Sequence, residues 1–128
     1  MPEVTATTRV ADEGEVMRYV NAYIATSNAL GDAIIYLKRL ESEEFNPNAL
    51  LSLIVDRRAL EDSYARNERN FLAFHQEDIA MHPPSQPDVD AIVELASQVA
   101  QLAAMKATGK MVFDVATDVA TRFDEIQG

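Results

Sequence analysis

The chain has no cysteine and no tryptophan, and only four glycines and five prolines among 128 residues. Without cysteine it forms no disulfide, holds no metal through thiolates and carries no thiol nucleophile. So few turn-forming residues disfavour an all-β fold, which needs a turn after every short strand. No apolar run approaches the roughly 18 residues of a membrane-spanning helix. The first residues also lack the basic segment and apolar core of a secretory signal, and we expect a cytoplasmic protein.

Basic residues are scarce as well. Eleven lysines and arginines face twenty-one acidic residues, which gives a net charge of −10 and a pI near 4.5. An acidic surface repels phosphate groups, so we expect no binding to nucleic acid or to anionic membranes. Electrostatics favours a basic protein partner, although the acidity also serves solubility alone. The balance of 48% hydrophobic and 25% charged residues is typical of a globular domain. We expect one domain over residues 12–128, preceded by a mobile tail over residues 1–11.

Apolar residues recur with the period of an α-helix. Asp12 is a good N-cap residue, and Glu15 three positions later completes a capping-box pattern. From Val16 to Leu37 the apolar residues then alternate in steps of three and four, which predicts one long first helix. Gly31 lies inside this helix and is a candidate for a kink.

The clearest helix boundary in the sequence is Asn46-Pro47. Asn46 is a favoured N-cap residue, and Pro47 follows at the first helical position, where its missing N–H costs nothing. Phe45 and Leu50 have the spacing of a hydrophobic staple across this boundary. The sequence therefore predicts that a second helix begins here and runs to about Ala80.

The end of the second helix is marked by Pro83 and Pro84, because proline cannot continue a helix. Ser85 is the next N-cap candidate, and the apolar period after it predicts a third helix to about Glu125. Short turns imply antiparallel neighbours. We therefore predict an all-α fold, an elongated up-down-up bundle of three long antiparallel helices, or of four or five if Gly31 or Gly109 breaks a helix.

The third helix carries two parallel apolar lines, more than one face of a surface helix requires. An exposed second line would be a larger apolar surface than monomers usually show, so we predict a homodimer that covers it. The predicted interface consists of Val89, Val93, Ala96, Ala100, Ala103, Val112, Val115 and Val119. In the competing interpretation, the other two helices cover both lines.

Each predicted helix also interrupts its apolar stripe with polar residues at a similar height. When the chain is folded at the two turns, these residues form a polar layer across the middle of the bundle. The layer consists of Ser27, Tyr64, Asn67, Glu68 and Lys106. It is either a ligand pocket or a polar core layer that sets the helix register, and the second interpretation is favoured.

A metal site has little support. His75, Asp78 and His82 share one helix face only if the helix continues to residue 82, where two prolines follow. The Glu-x-x-His motif of carboxylate-bridged dimetal bundles is absent. We expect no metal, no cofactor and no catalytic residue. The basic residues between Arg57 and Arg69 have salt-bridge spacings, such as Arg57 with Glu61, and suggest a solvated face.

Two classes of function are left. The first is a non-enzymatic interaction bundle that self-associates or docks a protein partner as an adaptor, a chaperone-like binder or an inhibitor. The second is a small helical enzyme or ligand-binding protein that uses the polar middle layer or the His75 and His82 pair. A wide apolar groove favours the first class, and a pocket with convergent polar groups favours the second.

Overall fold

The computed structural model describes residues 13–77 and 84–127. These residues form four helices, α1 Glu13–Glu43, α2 Pro47–Glu77, α3 Gln86–Ala104 and α4 Gly109–Gln127, which pack into a bundle. The predicted all-α class is therefore confirmed. The predicted N-terminal tail, the Asp12 cap and the Pro83 stop lie outside the described residues.

The helices alternate in direction. Arg18 Nε near the start of α1 donates to the Pro84 carbonyl just before α3, at 2.8 Å. At the other end, the Tyr36 hydroxyl donates to the Ala107 carbonyl just after α3, at 2.6 Å. Helix α3 thus runs parallel to α1, while α2 and α4 run the opposite way, which makes an up-down-up-down bundle.

Helix α1 is central and packs against each of the other three helices. Helix α4 likewise packs against all three, whereas α2 and α3 make no packing contact within the described residues. The order around the bundle is therefore α1, α2, α4, α3, with α1 and α4 meeting across the middle. Helices α2 and α3 therefore lie at opposite corners of the bundle.

The predicted third helix is two helices, which corrects the count of three. Helix α3 ends in a Schellman motif, in which the Ala107 N–H donates to Leu102 O at 3.0 Å and the Lys106 N–H donates to Ala103 O at 3.2 Å. Lys106 occupies the left-handed position with φ 59°. The Thr108 hydroxyl then caps α4 by accepting from the Met111 N–H at 3.2 Å. The break falls beside Gly109, as the alternative count anticipated, while α1 continues through Gly31 without interruption.

Two predicted helix starts are confirmed by their caps. Asn46 Oδ1 accepts from the Ala49 N–H at 3.0 Å, and Ser85 forms a capping box with Asp88. The predicted staple between Phe45 and Leu50 is wrong, because Phe45 is 95% exposed. The three-residue α1–α2 turn directs this side chain away from both helices.

Helices α1 and α4 supply most of the core. The apolar side chains that α1 buries are Tyr19, Ala22, Ala29, Leu30, Ala33, Tyr36 and Leu37. Those that α4 buries are Val112, Ala116, Val119, Ala120, Phe123 and Ile126. The core therefore lies mainly between α1 and α4. Helix α2 packs on one side of this pair, and α3 packs on the other.

Candidate functional site

The residues of the predicted interface divide between core and surface. Val89, Val112 and Val119 are buried within the chain. Ala96, Ala103 and Val115 are partly buried and pack against the same core. Two members are exposed, Val93 at 48% and Ala100. Because the predicted third helix folds back on itself at residues 105–108, much of its second apolar line packs within the chain.

The structure does not bring the five residues of the predicted polar layer together. Asn67 is fully buried and Ser27 half-buried, whereas Tyr64 and Glu68 are exposed on α2. Lys106 is exposed in the α3–α4 turn at one end of the bundle. The predicted layer requires one continuous third helix with Lys106 at its centre. Because α3 ends at Ala104, Lys106 lies instead in the turn at one end of the bundle.

The predicted histidine site lies outside the described side chains, since His75, Asp78 and His82 all fall between residues 74 and 83. Within the part of the chain that the structure describes, no group of three or more histidines, aspartates and glutamates is placed to hold a metal ion. The absence of a metal and of a cofactor stays a prediction.

A cleft of about 870 Å³ opens at the end of the bundle where the α1–α2 turn (44–46) and the α3–α4 turn (105–108) lie. We call this end the turn end. The apolar part of the cleft is formed by Leu40, Ala49, Leu53 and Ala107. The volume is in the range of sites that bind small molecules.

Close packing under the α3–α4 turn shapes the cleft. A Cβ atom at Gly109 would lie 2.7 Å from Leu53 Cδ2 and 3.0 Å from Leu37 Cδ2, so a larger residue there would have to displace the ends of these two side chains. The hydrogen bond from Tyr36 to Ala107 O ties the turn to α1. The site could not be seen in the sequence, because it exists only where the third helix breaks.

Charges of both signs line the cleft. Its cations are Arg39, Lys106 and Lys110, and its anions are Glu43, Glu44 and Asp56. Lys110 pairs with Asp114 at 3.3 Å, and Arg39 lies over the Tyr36 ring with its Cζ 5.9 Å from the centroid. Arg39 and Lys106 form no ion pair with any described residue. Both cations are therefore available to a bound partner.

Large apolar side chains are exposed around the same end. Phe45 in the α1–α2 turn is 95% exposed, and Met105 in the α3–α4 turn is 75% exposed. Leu51 and Val55 at the start of α2 and Met111 at the start of α4 are each at least half exposed. Methionine adapts its shape to different partners, which makes this composition typical of a binding surface.

An ion-pair network joins α1 to α2 below the turn end. Arg57 Nε contacts Glu41 Oε2 at 2.5 Å, and Arg57 Nη1 contacts Glu61 Oε1 at 3.1 Å. The hydrogen bond to Glu41, followed by the bond to Glu61, raises the pKa of Arg57 above its usual value despite partial desolvation. The sequence predicted the pairing with Glu61, but Glu41 comes from another helix and only the fold brings it into reach.

Four aromatic rings cluster towards the opposite end of the bundle. Tyr23 and Phe71 stack at 4.1 Å between centroids, and Tyr19 packs on Phe71 and Phe123 at 6.1 and 5.6 Å. Burial, with a smaller contribution from Tyr23, raises the pKa of Tyr19 to about 12. The rings join α1, α2 and α4 in one packed unit.

Comparison with family models, with curated proteins and with solved structures finds no match to this chain. Among the described helices, none is both long and apolar enough to cross a membrane.

Proposed function

We propose that this protein is a non-enzymatic interaction bundle that docks a segment of a protein partner at the turn end. The observation that carries the proposal is the exposure of Phe45 and Met105 beside the cleft. Exposed aromatic and methionine side chains beside a concave apolar surface are more common at protein-binding sites than on the rest of a protein surface.

The cleft favours a polypeptide occupant because it combines three kinds of surface. Leu40 and Leu53 offer apolar contact, Arg39 and Lys106 offer unpaired positive charge, and Glu43 offers negative charge. A peptide segment supplies apolar side chains and charges of both signs within a short length. The net charge of −10 additionally favours the approach of a basic partner.

Self-association through α3 is a second proposal of the same class. It rests on Val93 and Ala100, the exposed members of the predicted interface. The enzymatic or ligand-binding alternative is favoured by the charged side chains that line the cleft, but the five polar-layer residues it was predicted to use are not assembled. Its other candidates, His75 and His82, lie outside the described side chains and stay a prediction.

A photo-crosslinking amino acid at Phe45 tests the proposal. We expect it to capture one particular protein in extracts of the source cells, and the same crosslinker at Asn28, an exposed position on α1, to capture none above background. With that protein purified, Met105→Glu should weaken binding about tenfold or more, because it places a charge in the apolar contact.

Two results would contradict the proposal. One is an equal crosslink pattern from positions 45 and 28. The other is unchanged affinity of the captured protein for the Met105→Glu variant, with Ser97→Glu on the exposed face of α3 as the matched control. A crosslink to a second copy of the chain would instead assign the turn end to self-association.

A further inference from the structure

The outer face of α1 packs against no other described helix. The remaining faces of α1 contact α2, α3 and α4. On the outer face, Met17 is 54% exposed, Ile24 is 48% exposed and Ile35 is 68% exposed. Large apolar side chains that follow one line of an exposed helix face are typical of an interaction surface.

This outer face has the spacing of a helix that pairs with another helix. Its residues follow one another at alternating steps of four and three, which is the seam of two helices wound around each other. We call this line the α1 seam, and it consists of Met17, Asn21, Ile24, Asn28, Gly31 and Ile35. A Cβ atom at Gly31 would have no atom of the chain within 4 Å. The space beside this glycine is therefore open, and a second helix can approach the backbone closely there.

The α1 seam is complementary to itself when two copies run antiparallel. Around a two-fold axis at the height of residue 26, residues equally far before and after this position face each other. The amide of Asn21 then lies opposite Gly31, which has no side chain and leaves room for it. The six seam residues form three such pairs, which are Met17 with Ile35, Asn21 with Gly31, and Ile24 with Asn28.

The charges at the two ends of the α1 seam select the antiparallel arrangement. Glu13 and Lys38 are both exposed and lie almost equally far from residue 26. In the antiparallel pair, Glu13 of each copy lies beside Lys38 of the other copy. In a parallel pair, Lys38 would instead face the cations Lys38 and Arg39 of the second copy, which repel it. The contact of Lys38 with Glu61 within the chain is 3.9 Å long and its side chain is 59% exposed, so this weak pair leaves Lys38 available.

Net charge also favours this face for contact between two copies. Each chain carries a net charge of −10, so two copies repel each other over most of their surfaces. The six positions of the α1 seam carry no charge. Two copies therefore approach each other with less repulsion along this seam than along a face that carries acidic side chains.

We propose that two copies of the chain pair along the α1 seam as an antiparallel, two-fold symmetric dimer. The inference rests on the proposed self-association and extends its surface from α3 to α1. It does not depend on the docking of a partner at the turn end, because the seam and the cleft are different surfaces.

Helix α3 lies at the margin of this dimer. Hydrogen bonds near its two ends place each α3 residue beside the α1 residue 66 to 71 positions earlier. The exposed Val93 and Ala100 therefore lie at the heights of Ile24 and Gly31. In an antiparallel pair the α3 helices of both copies lie on the same side of the seam. Carboxylates introduced at Val93 and Ala100 would thus also oppose the dimer.

The proposed dimer is weak. One helix of each copy makes most of the contact, and such an interface is smaller than the roughly 1,200 Å² of stable complexes. We therefore expect dimers in concentrated purified protein and monomers in dilute cell extracts. A crosslinker at Asn28 should accordingly capture a second copy in the concentrated protein and none in the extract.

Single engineered cysteines test the orientation, because the chain has no cysteine of its own. A chain with Met17→Cys is mixed with a chain of different size that carries Ile35→Cys, under mild oxidation. The mixed disulfide should exceed both self-linked products about tenfold or more, because only positions that face each other come within disulfide distance. Thr117→Cys, at an exposed position of α4, should give only background linkage with either chain. Self-linked products as abundant as the mixed product would overturn the antiparallel dimer.

Ile24→Glu tests the surface in the cysteine-free chain. It places a carboxylate at the centre of the interface, and light scattering should show a monomer at every concentration. Val55→Glu is the matched control, because Val55 is 57% exposed on α2, and it should leave the dimer intact. A dimer that withstands Ile24→Glu overturns the proposal. The capture of a partner by the crosslinker at Phe45 should be the same with Ile24→Glu, so that each proposal fails separately.

Gly31→Leu separates dimerisation from folding. No atom of the chain lies where the new side chain begins, and leucine is a better helix former than glycine. The variant should therefore unfold at a higher temperature than the wild type in dilute solution. It should also lose the dimer, because leucine fills the space that Asn21 of the second copy needs. A Gly31→Leu variant that still dimerises would contradict the pairing of these two positions.

Discussion

Lys106 shows how one residue stores strain at a chain reversal. It alone has a positive φ among the described non-glycine residues, and this conformation costs an L-residue about 1 kcal/mol. We therefore expect Lys106→Gly to raise the free energy of unfolding in urea titrations, by less than that amount because glycine gains entropy in the unfolded chain. Lys106→Ala removes the same charge but keeps the Cβ atom. If alanine stabilises the protein as much as glycine, the gain comes from the charge and not from the backbone.

The buried hydroxyl of Tyr19 makes the stability of the folded protein depend on pH in the alkaline range. Its pKa is raised from about 10 to about 12 in the folded protein, so between these values the folded state binds more protons than the unfolded state. Stability should therefore fall as the pH rises from 10 to 12. We expect Tyr19→Phe to flatten this fall in thermal denaturation measured across that range. Tyr64→Phe, on the exposed face of α2, should leave the fall as it is. A fall of equal size in the Tyr19→Phe variant would mean that other groups cause it.

At the scale of elements, the sequence predicted the starts of α2 and α3 because their caps are local. Asn46-Pro47 and Ser85 each determine a helix start within a few residues. The sequence predicted the α3–α4 turn only as an alternative, a break at Gly109, because the apolar period continues through it. Gly109 keeps its place in the stripe and Phe113 follows four residues later, so the pattern resembles one helix. The available signal was Thr108, an N-cap residue type directly before a glycine.

Thr108→Ala distinguishes the two architectures. In a continuous helix the change would stabilise the protein, since alanine is the better helix former. In this structure it removes the acceptor for the Met111 N–H and should destabilise the protein by about 1 kcal/mol. Thr108→Ser keeps the acceptor and should lose much less. Chemical denaturation of the wild type, Thr108→Ala and Thr108→Ser tests this prediction. A Thr108→Ala variant as stable as the wild type would argue against a cap at residue 108.

The candidate site is formed by the packing of several elements and not by a local sequence motif. Leu53 of α2, Tyr36 of α1 and Ala107 of the α3–α4 turn meet because α4 begins at Gly109 against two other helices. No local pattern encodes that meeting. The exposure of Phe45 is equally non-local, since the same spacing predicted a buried staple. Sequence periodicity therefore predicts helices and the faces they bury. A surface to which several turns contribute can be identified only once the packing of the helices is known.

At the scale of the whole molecule, the predicted homodimer depends on fewer residues than its eight-residue interface suggested. The chain itself covers Val89, Val112 and Val119, and Val93 and Ala100 offer a small apolar area on α3. Stable pairs bury on the order of 1,200 Å² or more, so we expect pairing through α3 to be weak. Light scattering should show a mass that rises from monomer towards dimer with increasing protein concentration.

The double variant Val93→Glu with Ala100→Glu separates α3 from the turn end as the surface of self-association. It should hold the chain as a monomer at every concentration, because two carboxylates on each copy would face each other across a two-fold axis. Phe45→Glu should leave the mass profile unchanged. If Phe45→Glu abolishes the dimer and the α3 variant does not, copies of the chain compete with the partner for the turn end. The proposed docking site would then be open only at low protein concentration, and partner affinity measured above the dimerisation midpoint would fall as the chain is concentrated.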